Sequence, residues 1–459
     1  EIAQCLVGSE MCIRDRCMNK DSQHKSTEAQ QWPPISFEKH VWQQDGNQDA
    51  TERIEEDVVK GESKGPFAKA VEGSGDSGSS SLGLNRSTEM EYQAALPLLI
   101  AERSVAVPDD LSARISALLV EMARFDVELG QRADNVPTML LRSESSASSQ
   151  IDRLTSTAQS VALAELYPKA SSDARLVVAN MIATQRALEL PAGLSLEGIV
   201  EIHDLLLDNS HLENQTNSAF EKLRQKPVWL GGTSFTPHTA LFVPPAFQHV
   251  PEYMADLIEF GTRSDLNPVV KAAILYAQFQ TVHPFLTANG QTGRALIHHI
   301  FRAEGVLSST LIPVSVGFLH NIDSLINALQ SYREGDPLVI IEELVSALEL
   351  ALFVSRVTET SIESLLEDWD SLVGHRKGSK IRQLPKTLVK QPVVNSAYLA
   401  DSLGVTQRTA TTLILRACEY GMLRHMGKRQ RGDFYQSDAI INVLDEINEA
   451  STFRNIRIA

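Results

Sequence analysis

Residues 283–294 read His-Pro-Phe-Leu-Thr-Ala-Asn-Gly-Gln-Thr-Gly-Arg: a histidine, a run of small turn-forming residues and an arginine, set directly before a helix-forming segment. This is the layout of an anion site with a base beside it. Asn289 and Gly290 are expected to take turn conformations that aim successive backbone N–H groups inward, and a helix from about Gln291 adds the positive end of its dipole. Arg294 then falls on the first turn, facing the same anion. Taken alone, the string also fits a histidine ahead of an ordinary helix N-terminus.

The flanks favour a site. Asn267 to Val282 is an apolar helix opened by Pro268 and running straight into His283. Downstream, Ala295, Leu296, Ile297, Ile300 and Phe301 form an apolar face, Arg302 and Glu304 a polar one, and Gly305 the stop. The motif therefore joins two packed helices. Earlier, Val228–Gly232 and Leu241–Pro245 flank a polar loop, Thr233–Ala240, and together read as a β-hairpin.

At this point the string resembles the Fic family signature HPFx[D/E]GNGRxxR. His283, Pro284, Phe285, Asn289, Gly290 and Arg294 match it, whereas Thr287 stands for the acidic residue, Ala288 for the first glycine and Gln291 for the first arginine. The resemblance implies AMP transfer from ATP to a Ser, Thr or Tyr hydroxyl of a target protein. His283 would be the base, and Asn289, Gly290, Gln291, Gly293 and Arg294 the nucleotide-binding residues. The hairpin would be a flap that holds the target by strand addition through Thr233, Ser234, Phe235 and Thr236.

Each departure has a physical consequence. Thr287 has no charge to offer the Mg²⁺ that the family's acidic residue holds, so metal affinity should fall. Gln291 lacks the charged fork of arginine. A Cβ at Ala288 costs about 1 kcal/mol or more if the backbone there has positive φ. The same scaffold without activity would be a DNA-bound regulator, and transfer of another phosphate-containing group is a third reading.

A second resemblance lies upstream, in Leu140–Asp152, to the family's inhibitory pattern [S/T]xxxE[G/N]. Ser148 and Asp152 hold its first and fifth places, with Asp152 set to pair with Arg294. Aspartate is one methylene shorter than glutamate and Arg153 follows it, so the carboxylate is expected to fall short or to reach through water. A serine with an acid one turn later is also a common helix start.

Composition agrees with a mainly α protein, and the resemblance implies a Fic-type helical bundle with a small β-hairpin flap, followed by a C-terminal winged-helix domain. The 459 residues are 43% apolar, enough for a sizeable core. Helices are expected at Val107–Leu129, Leu176–Leu190, Ser195–Leu207, Asp323–Tyr332 and Pro337–Asp368. No apolar run reaches the roughly eighteen residues that span a bilayer. Glu1–Cys17 resembles translated sequencing-adaptor sequence, with Met18 the expected start. Outside it only Cys418 remains, which excludes an intrachain disulfide framework and fits a reducing cytoplasm.

Residues 18–91 read as a mostly flexible arm rich in Ser, Gly and charge, apart from Trp32–Glu38, whose prolines and aromatics suit an anchoring strap. Residues 92–220 read as the helical N-terminal region with the inhibitory-like helix, and 221–374 as the core with flap and motif. Residues 375–459 carry fourteen Lys and Arg against seven Asp and Glu, net +7 in a chain of net −16, which leaves −23 on residues 1–374. Within this basic part, Ser396–Leu403, the Gly404 turn, the Thr406-capped helix to Tyr420 and the segment Met422–Tyr435 resemble a winged helix-turn-helix. Gln407, Arg408, Thr411 and Thr412 would face a DNA groove, and Lys428, Arg429 and Arg431 would meet phosphates. A protein-docking domain with a solvated basic face fits the same residues.

Overall fold

In the computed structural model the described residues are 32–42, 90–131, 135–207, 218–231, 237–373, 380–429 and 432–448. The helices on either side of the motif form the centre, and they are numbered here with their neighbours in chain order. Strands β1 (Ser36–Trp42) and β2 (Met90–Leu96) precede helices α1 (Asp109–Gly130), α2 (Val136–Ile151), α3 (Ala158–Ala164), α4 (Ser172–Glu189) and α5 (Leu196–Leu206). Helices α6 (Val250–Thr262), α7 (Pro268–Val282), α8 (Asn289–Ala303), α9 (Val314–His320), α10 (Ile322–Arg333) and α11 (Leu338–Val373) complete the bundle.

Helix α7 starts where Asn267 Oδ1 accepts from Val269 N at 2.9 Å, with Pro268 in the first turn. From Val269 onward every residue of α7 is buried, so this mostly apolar helix is enclosed on all sides, wrapped by α6, α8, α10 and α11. Its single cation, Lys271, is buried and paired with Glu304 at the end of α8. Helix α11, 36 residues long, runs along the back of the bundle. The observed helix limits fall within a few residues of those expected for α1, α4, α5, α10 and α11.

Two strand readings need correction. Among the described residues, 228–231 and 241–245 meet in one antiparallel bridge, Leu230 to Phe242, rather than in extended strands. Pro244 and Pro245 have no N–H to continue a ladder, and Pro237–Thr239 is a short 3-10 turn. Thr233, Ser234, Phe235 and Thr236 lie outside the described residues. Conversely, β1 and β2 pair antiparallel from Ser36↔Leu96 to Trp42↔Met90, where the sequence showed only a strap. The strap itself is seated: Trp32 is buried against Tyr332 with ring centroids 5.9 Å apart, and Ile35 N donates to Arg333 O at 2.9 Å.

The basic C-terminal part contains α12 (Leu384–Lys390), β3 (Val393–Val394), α13 (Ser396–Leu403), α14 (Gln407–Glu419), β4 (Arg424–Arg429), β5 (Gly432–Gln436) and α15 (Asp438–Asn448). Gly404, at φ +60°, makes the turn between α13 and α14, and Thr406 caps α14 by accepting from Thr409 N at 3.2 Å. Strand β5 is central, between β3 and β4. Helix α15 packs on α2, α3 and α11, where Ile447 joins Ala147, Val316, Leu350 and Val354 in one apolar cluster. Among the described residues no helix is long and apolar enough to cross a membrane.

Candidate functional site

The loop between α7 and α8 is held by its own residues. Asn289 Oδ1 accepts from Phe285 N and its Nδ2 donates to Phe285 O, both at 2.9 Å, so the asparagine amide is used to close the loop. The chain then enters α8 at Asn289, two residues earlier than expected, and the left-handed positions are His283 (φ 50°) and Ala288 (φ 57°), not Asn289 and Gly290. Ala288 therefore carries the strain foreseen for a Cβ at that place, about 1–2 kcal/mol. Its carbonyl accepts from Thr292 N at 3.0 Å and Thr292 Oγ1 at 2.9 Å.

Phe285 is fully buried and stacks on His203 of α5, with centroids 3.8 Å apart and planes 10° from parallel. His203 Nε2 donates to Thr287 O at 3.2 Å, which fixes the ring's proton on that nitrogen. Burial pushes the His203 pKa down to about 4 against the pull of that carbonyl. A lone histidine on an amphipathic helix gave no sign of this in the sequence.

His283 is half-buried, with cations rather than carboxylates around it. Burial first, then Arg224 and Arg333, push its pKa down to about 3, and the Gln280 carbonyl only partly opposes them. The imidazole is therefore neutral throughout the neutral range. Arg224, another residue the motif did not reveal, is buried and donates Nε to His283 O at 2.7 Å.

At the other end of the loop, α2 delivers Ser148 and Asp152 to Arg294. Arg294, 2% exposed, donates Nε to Ser148 Oγ at 2.8 Å and Nη2 both to Ser148 O at 2.8 Å and to Asp152 Oδ2 at 2.9 Å. The expected shortfall is corrected, because the contact is direct. Asp152 caps the C-terminus of α2 and Arg153 turns left-handed at φ 66°, so the carboxylate swings out at a helix end, where a helix start had been the other reading. A Cβ on Gly290 would lie 2.8 Å from Asp152 Oδ1 and 3.0 Å from Arg294 Nη1. The acid therefore lies against the N-terminus of α8, where an anion gains most from the helix dipole.

The remaining motif residues divide. Gly293 faces α7, and a Cβ there would meet Gln280 Nε2 at 2.5 Å, so its role is close helix packing. Gln291 is 5% exposed. Thr287 is exposed, and among the described residues no group of three or more His, Cys, Asp or Glu is gathered to hold a metal. Asp152, the carboxylate at Gly290, is taken up by Arg294. This donor set does not fit a protein-anchored Mg²⁺.

Helix α2 is unusual in burying a polar run. Its Glu144 accepts from Ser315 Oγ at 2.5 Å and Ser315 N at 2.9 Å and lies 3.0 Å from His298 Nε2 of α8. Despite its burial the carboxyl is held below the usual range by His298 and Ser315. Arg142 pairs with Glu165 at 2.8 Å and donates Nη1 to Lys390 O at 2.6 Å.

On the C-terminal part, Gln407, Arg408, Thr411, Thr412 and Lys428 are exposed. Arg429, also exposed, lies 5.8 Å from the Tyr167 ring centroid, over the chain that follows α3. Arg431 lies outside the described residues.

Residues 193–301 match the model of the Fic/DOC family. The chain is 30% identical over 191 residues to a probable protein adenylyltransferase, aq_aa38, of Aquifex aeolicus, and 27% identical over 124 residues to protein adenylyltransferase fic-1 of Caenorhabditis briggsae. These alignments cover 41% and 26% of this chain, and 56% and 22% of the two relatives. Among solved structures it is similar to a Fic family protein from Desulfovibrio desulfuricans G20, with a TM-score of 0.43, 20% identity and coverage of 72% of this chain and 97% of that one. Fic-1 of C. elegans gives 0.37 at 18% identity, covering 55% and 75%. Residues 193–301 of the chain thus carry a Fic/DOC domain.

Proposed function

We propose that the chain transfers AMP from ATP to a hydroxyl side chain of a target protein, and that α2 holds it in a restrained state. The observation that carries this reading is the pair of linked ends: a neutral, half-buried His283 at one end of the loop and a buried Arg294 occupied by Ser148 and Asp152 at the other. Two relatives are named protein adenylyltransferases, which supports the same reaction class.

In the reaction, the target oxygen bonds to the α-phosphorus, the bond from that phosphorus to the β-bridging oxygen breaks, and pyrophosphate leaves. The proton of the hydroxyl passes to the His283 imidazole, which is unprotonated and ready to accept it. The N-terminus of α8 at Asn289 and Gly290 holds the phosphate charge, and Arg294 grips the terminal phosphate once Asp152 lets go. Burial and the neighbouring cations make this imidazole a weaker acceptor than an ordinary histidine.

Incubating the chain with α-labelled ATP and a divalent cation, beside His283→Ala and Asp152→Gly, tests the reading. Label that rises in Asp152→Gly and vanishes in His283→Ala supports it; no label in any form, with no nucleotide binding, overturns it. The exposed Gln407, Arg408, Thr411 and Thr412 face of α14 favours a second role, nucleic-acid binding by the C-terminal part, measured as salt-dependent retention of duplex DNA.

A further inference from the structure

Arg224 is 2% exposed, and every contact of its guanidinium described here is to a backbone carbonyl. Nε donates to His283 O at 2.7 Å, Nη2 to Pro245 O at 2.5 Å and to Val282 O at 3.3 Å, and Nη1 to Lys226 O at 3.2 Å. Its own backbone N donates to Pro284 O at 2.9 Å. Burying a guanidinium costs free energy unless its donors are all used. Here four contacts use them: on the last carbonyl of α7 at Val282, the left-handed turn at His283, the chain leaving the Leu230–Phe242 bridge at Pro245, and the nearby Lys226 carbonyl.

Carbonyls at a helix end lack intrahelical partners, and a basic side chain is one of the groups that satisfies them. His283 has positive φ, a conformation a side-chain-bearing residue keeps only when its surroundings enforce it. Phe279 O accepts the His283 N–H at 2.9 Å, but nothing in the motif itself holds the His283 carbonyl; Arg224 does. Arg224 also reaches the flap stem, 21 residues on in sequence, through Pro245. Burial lowers its pKa to about 10, which still leaves it a cation in the neutral range.

We propose that Arg224 is a positioning residue: it fixes His283 in its left-handed turn and ties that turn to the flap stem at Pro245, so that the base and the segment facing the target keep one geometry. As a role in catalysis this rests on the AMP-transfer reading; as a statement about the His283 turn it stands without it. Arg224 acts through His283 and touches no reacting atom.

The test uses the full chain with Arg224→Gln and Arg224→Lys, each checked for cooperative thermal unfolding. The His283 imidazole is titrated by NMR, assigned by its loss in His283→Ala, and hydrogen exchange is followed at the Leu230 and Phe242 amides. In Arg224→Gln the His283 midpoint rises by about one pH unit or more, since a neighbouring cation is gone, and exchange at the two amides speeds up. In Arg224→Lys the charge remains and the midpoint stays low, but the fork is lost and exchange still speeds up.

AMP transfer, measured in an Asp152→Gly background, falls about 100-fold in both variants, as expected for a displaced base, with the larger effect on kcat. Folded variants with an unchanged midpoint, unchanged exchange and unchanged transfer overturn the proposal. If the parent chain transfers no AMP, the reading of function fails, while the titration and exchange still decide the positioning role. Should Arg224→Gln not fold, unaltered amide exchange in Arg224→Lys is the overturning result.

Discussion

Asp152 Oδ2 and Arg294 Nη2 meet at 2.9 Å across 142 residues of sequence, directly beside the first turn of α8. The arginine is buried and the acid is one-third exposed, so water reaches the pair from the acid's side only. An anion arriving at the helix N-terminus competes with Asp152 for the same cation.

Replacing Asp152 with glycine removes that competitor. AMP transfer is expected to rise about tenfold or more, and thermal stability to fall by about 1–3 kcal/mol, because Arg294 loses a charged partner that solvent only partly screens. Ser148→Ala removes one of three acceptors and gives a smaller change in the same direction. Labelled-AMP incorporation and thermal unfolding, measured on the same preparations, check both signs.

The left-handed Ala288 yields a stability prediction independent of chemistry. Ala288→Gly relieves about 1–2 kcal/mol of strain and gives back about 0.4–1 kcal/mol through the looser unfolded chain, for a net gain of about 0–1.6 kcal/mol. Denaturant midpoints measure it. A loss of stability would mean that the Ala288 methyl, packed against the main core, is worth more than the strain.

Thr287→Asp, alone or with Ala288→Gly and Gln291→Arg, supplies the carboxylate the loop lacks. Isothermal titration of the folded variant with Mg²⁺ and a non-hydrolysable ATP analogue should show tighter metal-dependent nucleotide binding than the parent chain, by about tenfold or more.

The pH dependence follows from the two depressed histidines. His283 and His203, with pKa values near 3 and 4, stay neutral in the folded chain while the same residues take up protons near pH 6.5 once unfolded. Their contribution to stability is therefore full above about pH 6.5 and is lost as pH falls toward 4 and then 3. Transfer should show no acid limb near pH 6.5, and a profile of kcat from pH 5.5 to 8 would reveal one if the base were an ordinary histidine. His203→Phe keeps the stack on Phe285, removes the low-pH loss due to that residue and leaves the Thr287 carbonyl only the longer contact from Asn289 Nδ2 at 3.5 Å.

The central helices were legible because their signals are local: Asn267 and Pro268 start α7, and the apolar spacing after Arg294 sets the buried face of α8. The same string marked the residues that the structure gathers between α7 and α8, but not their division of labour. Asn289 closes the loop with its amide, Gly293 seats one helix on another, and Ala288 takes the positive φ, all decided by neighbours far along the chain. Asp152 was judged too short because side-chain length is visible in a sequence and the end of a helix is much less so. His203 and Arg224 carried no periodic or motif signal, and the β1–β2 pairing joins segments too far apart for local propensity to announce.

Helix α2 is gripped along its length by groups from opposite sides: Glu144 with His298 and Ser315 of the bundle, Arg142 with the Lys390 carbonyl, and Ala147 with Ile447 of α15. Ile447→Asp puts a charge into that apolar cluster, at a cost of several kcal/mol. It is expected to loosen α2 and raise transfer in the manner of Asp152→Gly, with exchange at the Ser148 and Asp152 amides as the direct measure.

The shared helix also sets a thermodynamic bond between the two ends of the molecule. On the AMP-transfer reading, any molecule that seats on the basic C-terminal part and prefers α2 displaced must tighten nucleotide binding at Arg294 by some factor. A nucleotide that takes Arg294 from Asp152 must then tighten that molecule's binding by the same factor. Coupling of 1–3 kcal/mol, the ordinary range, corresponds to about 5- to 150-fold, and it can be read from either ligand.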